Sequence, residues 1–155
     1  MVIGIGSMVE YLNFNANPKK KKTTDCVVRA ITLATHKPYI EVLDGLVCVS
    51  KKTGYHINDK KCYERYLSEN GFIKFKQPKK KDGTKYTIGE IDKLIEDRTA
   101  LISCAHHLTI VKYKKLYDTW DCRNKSVGNY WMKLLWDYIW NNGTSIKCMG
   151  GGGKN

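Results

Sequence analysis

Three residues in this chain carry side chains suited to attack on a carbonyl. They are a cysteine, Cys26, at the head of an apolar helix, a histidine, His107, in a strand-like run, and a carboxylate, Asp118, just beyond it. A polar, lysine-rich stretch ends at Thr23-Thr24-Asp25, where Thr24 or Asp25 can cap the helix amides. Cys26-Val27-Val28-Arg29-Ala30-Ile31 then starts a helix with almost no polar face, which belongs in a core. A cysteine on a first helical turn meets unpaired N–H groups and the positive end of the helix dipole, and both lower a thiol's pKa. A thiolate placed this way is a recurrent nucleophile. The same residue is often only a small apolar core side chain, so its partners decide between the two uses.

Those partners depend on the elements downstream. Ala100–Lys112 reads as one strand, with His106 among bulky apolar residues and His107 among the small ones, Ser103, Ala105 and Thr109. Leu116–Trp120 returns as its neighbour. If Val111 pairs with Leu116 across a four-residue loop, Thr109 faces Asp118 and His107 faces Trp120; a two-residue loop would instead put Asp118 opposite His107. Either even-length loop leaves Asp118 on the histidine's side of the sheet, with Asp121 as the fallback if the strand bulges. An imidazole held by such an acid is the base a thiol needs.

Further elements frame this site. A strand lies within Met8–Asn15, and Asn15–Thr24 is a loop. The Cys26 helix ends near His36. Pro38 opens a second helix, with Ile40, Leu43, Leu46 and Val47 inward, that stops at Gly54. Asn58 or Asp59 caps a third, burying Cys62, Tyr63, Tyr66 and Leu67 and ending at Asn70-Gly71. Phe72–Lys76 is a short strand, with Ile73 and Phe75 on one face. A charged turn follows around Asp82-Gly83. Thr87 and Glu90 form a capping box for a helix with Ile88, Ile91, Leu94 and Ile95 inward. Tyr130–Trp140 is aromatic and fits helix or strand. Helices first and then a mostly antiparallel sheet is the α+β class.

Asp25-Cys26 with its apolar helix, His107-Leu108-Thr109 and Asp118-Thr119-Trp120 together resemble the papain-like cysteine peptidases. The likeness is to compact bacterial and phage forms such as double-glycine leader peptidase domains, and it spans roughly Asn15 to Trp131 in outline. It implies a papain-like fold, N-terminal helices packed against the sheet, and a Cys26–His107–Asp118 triad cleaving an amide or thioester as a peptidase or isopeptidase. Trp120 would shield the histidine–carboxylate bond. The family's glutamine six residues before the cysteine is replaced by Lys20, and the only glutamine is Gln77. The oxyanion would then rest on the Cys26 backbone N–H plus a side chain such as Asn17 or Asn15.

At 155 residues the chain fits one domain, residues 1–149, with 1–7 a dispensable extension if Met8 is the start and 150–155 a flexible glycine-rich tail. No apolar run is long enough to span a bilayer, and the opening lacks a basic start for a secretion signal. Six cysteines at wide, irregular spacing suggest reduced thiols and a cytoplasmic protein, in a bacterial host if phage-encoded. The net charge of +12 is nearly all lysine; the only arginines are Arg29, Arg65, Arg98 and Arg123. Lysine-rich rims suit an acidic protein or peptide substrate, and the Gly150–Gly153 tail resembles a double-glycine cleavage site, raising self-processing.

Three alternatives compete with the hydrolase. One is acyl transfer by the same triad. Another is a non-catalytic basic module binding nucleic acid or an acidic partner, with the aromatics from Tyr130 to Trp140 as stacking platforms. The third is a zinc site on Cys104, His106, His107 and Cys122, against which no short CxxC pair speaks for a structural metal. The expected hydrolase itself needs no cofactor or metal.

Overall fold

Apolar spacing builds a helical layer from three successive segments of the computed structural model, which describes residues 8–133. Helix α1 (Cys26–Thr35) buries Val27, Val28, Ala30 and Ile31, and His36 ends it in a left-handed conformation at φ 57°. Helix α2 (Tyr39–Thr53) follows Pro38, which takes the N-cap position, and stops at Gly54 with φ 79°. Helix α3 (Lys60–Glu69) is capped by the Asp59 carboxylate, which accepts from the Lys61 amide, and it buries the four expected residues, Cys62, Tyr63, Tyr66 and Leu67.

The inward face of α2 differs from expectation. Val42, Leu46 and Val49 are buried, whereas Ile40 is 58% exposed. The segment carries apolar residues on two adjoining stripes, and packing against α1 and α3 selects the one at i, i+4 and i+7.

Against these helices lies a mixed six-stranded sheet, β1 (Glu10–Asn13), β2 (Phe72–Phe75), β3 (Thr99–Cys104), β4 (His107–Lys112), β5 (Lys115–Asp118) and β6 (Tyr130–Lys133). Its order is β1-β5-β4-β3-β6-β2, with β1 parallel to β5 and the other pairs antiparallel. The chain is therefore α+β, as its element order predicts. Leu101, Leu108, Ile110 and Trp131 face the helices. Ala100, Ile102, Val111 and Leu116 pack on the other face with Ile88, Ile91, Ile95 and Val127.

Two expectations for this second layer need correction. The Ala100–Lys112 run is a hairpin and not one strand: Cys104 pairs with His107 across the two-residue turn Ala105-His106. His106 takes a left-handed φ of 53° there and is exposed, not packed among apolar side chains. Small Ala105 and a histidine, which tolerates positive φ better than most residues, make the reversal feasible.

The Thr87/Glu90 capping box also does not form. Residues Ile88–Glu90 make a 3₁₀ turn leading into a single α-turn, α4 (Asp92–Ile95), and Thr87 makes no side-chain cap. The amides it would serve are already taken, Gly89 N–H by the Arg123 carbonyl and Glu90 N–H by the carbonyl of Thr87 itself. Glu90 instead meets Lys80 Nζ at 2.7 Å.

Cys26, Cys62, Cys104 and Cys122 are free thiols, but Cys48 is disulfide-bonded, a departure from the all-thiol expectation. Spacing along the chain does not report which side chains meet in space. Among the described residues no helix is long and apolar enough to cross a membrane. The expectations for residues 1–7, for the aromatic run beyond Lys133 and for the glycine-rich tail lie outside the described residues.

Candidate active site

The sheet's register positions the histidine and the acid. Val111 pairs with Leu116 and Lys112 with Lys115, so Tyr113-Lys114 is a two-residue turn with both residues at positive φ, 50° and 61°. Continuing that register sets Thr109 against Asp118 and His107 against Trp120. The side chains follow: His107 Nε2 lies 2.6 Å from Asp118 Oδ2, and the Thr109 hydroxyl donates to the same oxygen at 2.6 Å. The Trp120 ring sits 5.0 Å from the imidazole, tilted by 52°, and is itself 40% exposed.

Cys26 completes the arrangement from the helical layer. Its thiol lies on the wall of the same cleft as the His107 side chain and Leu108. Because Nε2 is committed to Asp118, Nδ1 is the ring nitrogen left to face the thiol. Burial pushes the Cys26 pKa up. The bonds from His107 and the Leu108 N–H, with the charges of His107 and Arg29, more than offset this and hold it below the ordinary thiol value. Burial opposes charge on His107 as well, yet hydrogen bonds to Asp118, Cys122 and Cys26 raise its pKa well above that of a free imidazole. Asp118 is held below the usual carboxylate range: desolvation is overcome by the bonds from His107 and Thr109, the His107 charge and the Thr119 N–H. Together these shifts favour a thiolate–imidazolium pair over a neutral one.

A buried arginine braces the acid. Arg29, one turn along α1 from Cys26, sends Nε to Asp25 Oδ1 at 2.8 Å. Its Nη1 reaches Asp118 Oδ1 at 3.4 Å and the Thr119 hydroxyl at 3.1 Å. Asp25 occupies the N-cap position but makes no cap bond. Its other oxygen accepts from Tyr39 OH at 2.7 Å and Asn17 Nδ2 at 3.0 Å. A lone arginine in an otherwise apolar helix, four residues after Asp25, is the sequence signal for this network. Cys122, four residues past Asp118, is a second contact unremarked among the triad's partners, with Sγ 3.9 Å from Asp118 Oδ2.

Cys26, His107 and Trp120 line a cleft of about 890 Å³, with Ser103, Cys104 and Lys60 also on its walls. Asn17 and Asn15 do not line it. Asn17 is buried against Asp25 and accepts from the Lys19 amide, while Asn15 donates to the Lys21 carbonyl and accepts from the Asn17 amide. Lys20 turns away and donates to the Asn15 carbonyl. Thr23, Thr24, Asn58, Ser103 and Thr119 supply uncharged polar side chains to the cleft that holds Cys26. Asp121 pairs with Arg123 at the surface and not with the histidine. Of the conceivable zinc ligands, His106 is on the exposed turn, whereas Cys104 packs against the cluster that contains Cys122.

No protein-family model matches this chain, and neither a curated protein nor a solved structure matches it.

Proposed function

We propose that this protein is a cysteine-dependent hydrolase of peptidase or isopeptidase type, built as a papain-like enzyme and acting on an amide or thioester. One arrangement carries this: Cys26 and the His107 imidazole line one cleft, each shifting the other's pKa toward the thiolate–imidazolium pair, while a buried carboxylate holds the ring's Nε2 at 2.6 Å. The Cys26 sulfur adds to the carbonyl carbon, and the C=O electron pair moves onto oxygen near the Cys26 backbone N–H. Collapse expels the amine or thiol, which takes its proton from His107 and leaves an acyl-cysteine. Water, deprotonated by His107, then releases the acid and the free thiol. Asp118 keeps the imidazole in one tautomer, and Trp120 covers one side of that pair.

A second groove of about 410 Å³ adjoins the cleft, sharing Thr23, Thr24 and Arg29 and adding exposed Lys21 and Lys22. This favours acidic protein or peptide substrates. The setting we propose is a cytoplasm, that of a bacterial host if the chain is phage-encoded.

Iodoacetamide at neutral pH tests the nucleophile. Cys26 should alkylate faster than Cys104, a free thiol in the same cleft, and His107→Gln should abolish the difference. Equal rates, or a Cys26 rate indifferent to His107→Gln, would remove the reading. Partition of a trapped acyl-enzyme between water and added amines separates hydrolysis from acyl transfer.

A further inference from the structure

The proposed reaction leaves one group beside the triad unused. Cys122 is fully buried, and one ligating atom each from His107, Asp118 and Cys122 lie within 4.8 Å of one another. Cys104 packs against the apolar cluster that contains Cys122, faces His107 across the hairpin and lines the cleft. An imidazole nitrogen, a carboxylate oxygen and thiolate sulfurs are the donors of four-coordinate zinc, which holds such atoms roughly 3.4–3.8 Å apart. Cys122 Sγ and Asp118 Oδ2 stand at 3.9 Å already. The His107–Asp118 pair, at 2.6 Å, has to open by several tenths of an ångström. Cys104, partly exposed on the cleft wall, gives a cation a way in from solvent and a fourth donor, the second sulfur, beside the set.

We propose that His107, Asp118 and Cys122, with Cys104 alongside, form a reversible inhibitory site for zinc. Binding makes Zn–N, Zn–O and Zn–S bonds. It breaks the Cys122 S–H bond and removes the proton shared by His107 and Asp118, and the displaced protons pass to solvent. The ion takes the Nε2 and Oδ2 atoms that orient the base, so His107 is held by the metal and can no longer cycle between acid and base for Cys26. This differs from zinc bridging Cys26 and His107, because the nucleophile is not a ligand. The inhibitory half rests on the hydrolase reading; metal capture does not.

The experiment titrates Zn²⁺ into the full chain against a chromophoric chelator and records the spectrum of the Co²⁺-substituted protein. The expected result is one ion per chain, with a thiolate-to-cobalt charge-transfer band and the visible bands of tetrahedral Co²⁺. Cys122→Ser should weaken zinc by at least ~100-fold, beyond what a change outside the ligand set typically costs, while Cys26→Ala leaves it unchanged. No stoichiometric uptake overturns the proposal. So does uptake lost in Cys26→Ala but kept in Cys122→Ser, or kept in both with no thiolate band. Where Cys122→Ser does not fold, Co²⁺ in the Cys26→Ala chain decides, since a thiolate band there sustains the site and its absence overturns it. Cobalt uptake without His107-dependent alkylation of Cys26 removes the hydrolase reading alone; the reverse result removes the zinc site alone.

Discussion

Five donors converge on the Asp118 carboxylate. Oδ2 takes His107, Thr109 and the Cys122 thiol, and Oδ1 takes the Thr119 N–H and Arg29. A group this buried stays ionised only because so many donors face it. Asparagine keeps the shape but turns one oxygen into an NH₂, so a donor must point at a donor and the His107 tautomer is no longer fixed. Asp118→Asn should therefore slow Cys26 alkylation at neutral pH by about tenfold or more, the effect of one pKa unit on a thiolate population. Thr109→Val removes one donor and leaves the acid, so its drop is smaller. Circular dichroism should stay native in both. An unchanged alkylation rate in Asp118→Asn would mean that the acid does not govern the thiol.

At the level of elements, Arg29 ties the helix that carries Cys26 to the strand that carries Asp118. Its side chain is 10% exposed, between Asp25 and Asp118 at 8% and 4%. Arg29→Met leaves two buried carboxylates sharing no cation. Breaking a buried pair from one side typically costs about 3–5 kcal/mol, and urea unfolding should show a loss of that order. Arg29→Lys restores the charge but not the fork to Asp25, Asp118 and Thr119, so it should recover part of the loss. A loss under about 1 kcal/mol in Arg29→Met would show that the network is not structural.

What the sequence makes legible follows from period and parity. The α3 face is a single stripe, Cys62, Tyr63, Tyr66 and Leu67, and is read correctly. The β4–β5 register follows from pairing Val111 with Leu116, and with it the Thr109–Asp118 and His107–Trp120 contacts. The β3–β4 reversal does not show, because Cys104-Ala105-His106-His107 contains no glycine, proline or asparagine to mark a turn. That one missed turn hides the approach of Cys104 to His107 and Cys122. The role of Arg29 is likewise hidden, since Asp25 reads as a helix cap until its oxygens are seen elsewhere.

Across the whole molecule, the charge of +12 is divided unequally between side chains that are occupied and side chains that are not. All four arginines are engaged: Arg29 in the core network, Arg65 with Glu69, Arg123 with Asp121, and Arg98 on the carbonyls of Ile95 and Leu94. Guanidinium forks for phosphate are thus already in use, and any hold on nucleic acid falls to lysines as point charges. Such binding depends steeply on salt and should be indifferent to Cys26→Ala.

Lys21 and Lys22 are placed differently, exposed on the groove that opens into the Cys26 cleft. On the proposed hydrolase reading, their field would act on a substrate before chemistry and scarcely on the buried Cys26, His107 and Asp118, and so would belong in KM and not in kcat. Reversing both, Lys21→Glu with Lys22→Glu, should raise KM for acidic peptides about tenfold, while kcat and Cys26 alkylation stay within about twofold of native. Raising the ionic strength from about 0.05 to about 0.5 M should erode the proposed preference in the same direction, because the screening length falls about threefold. Equal KM values for acidic and neutral peptides in the native chain at low salt would show that the lysine-lined groove selects nothing.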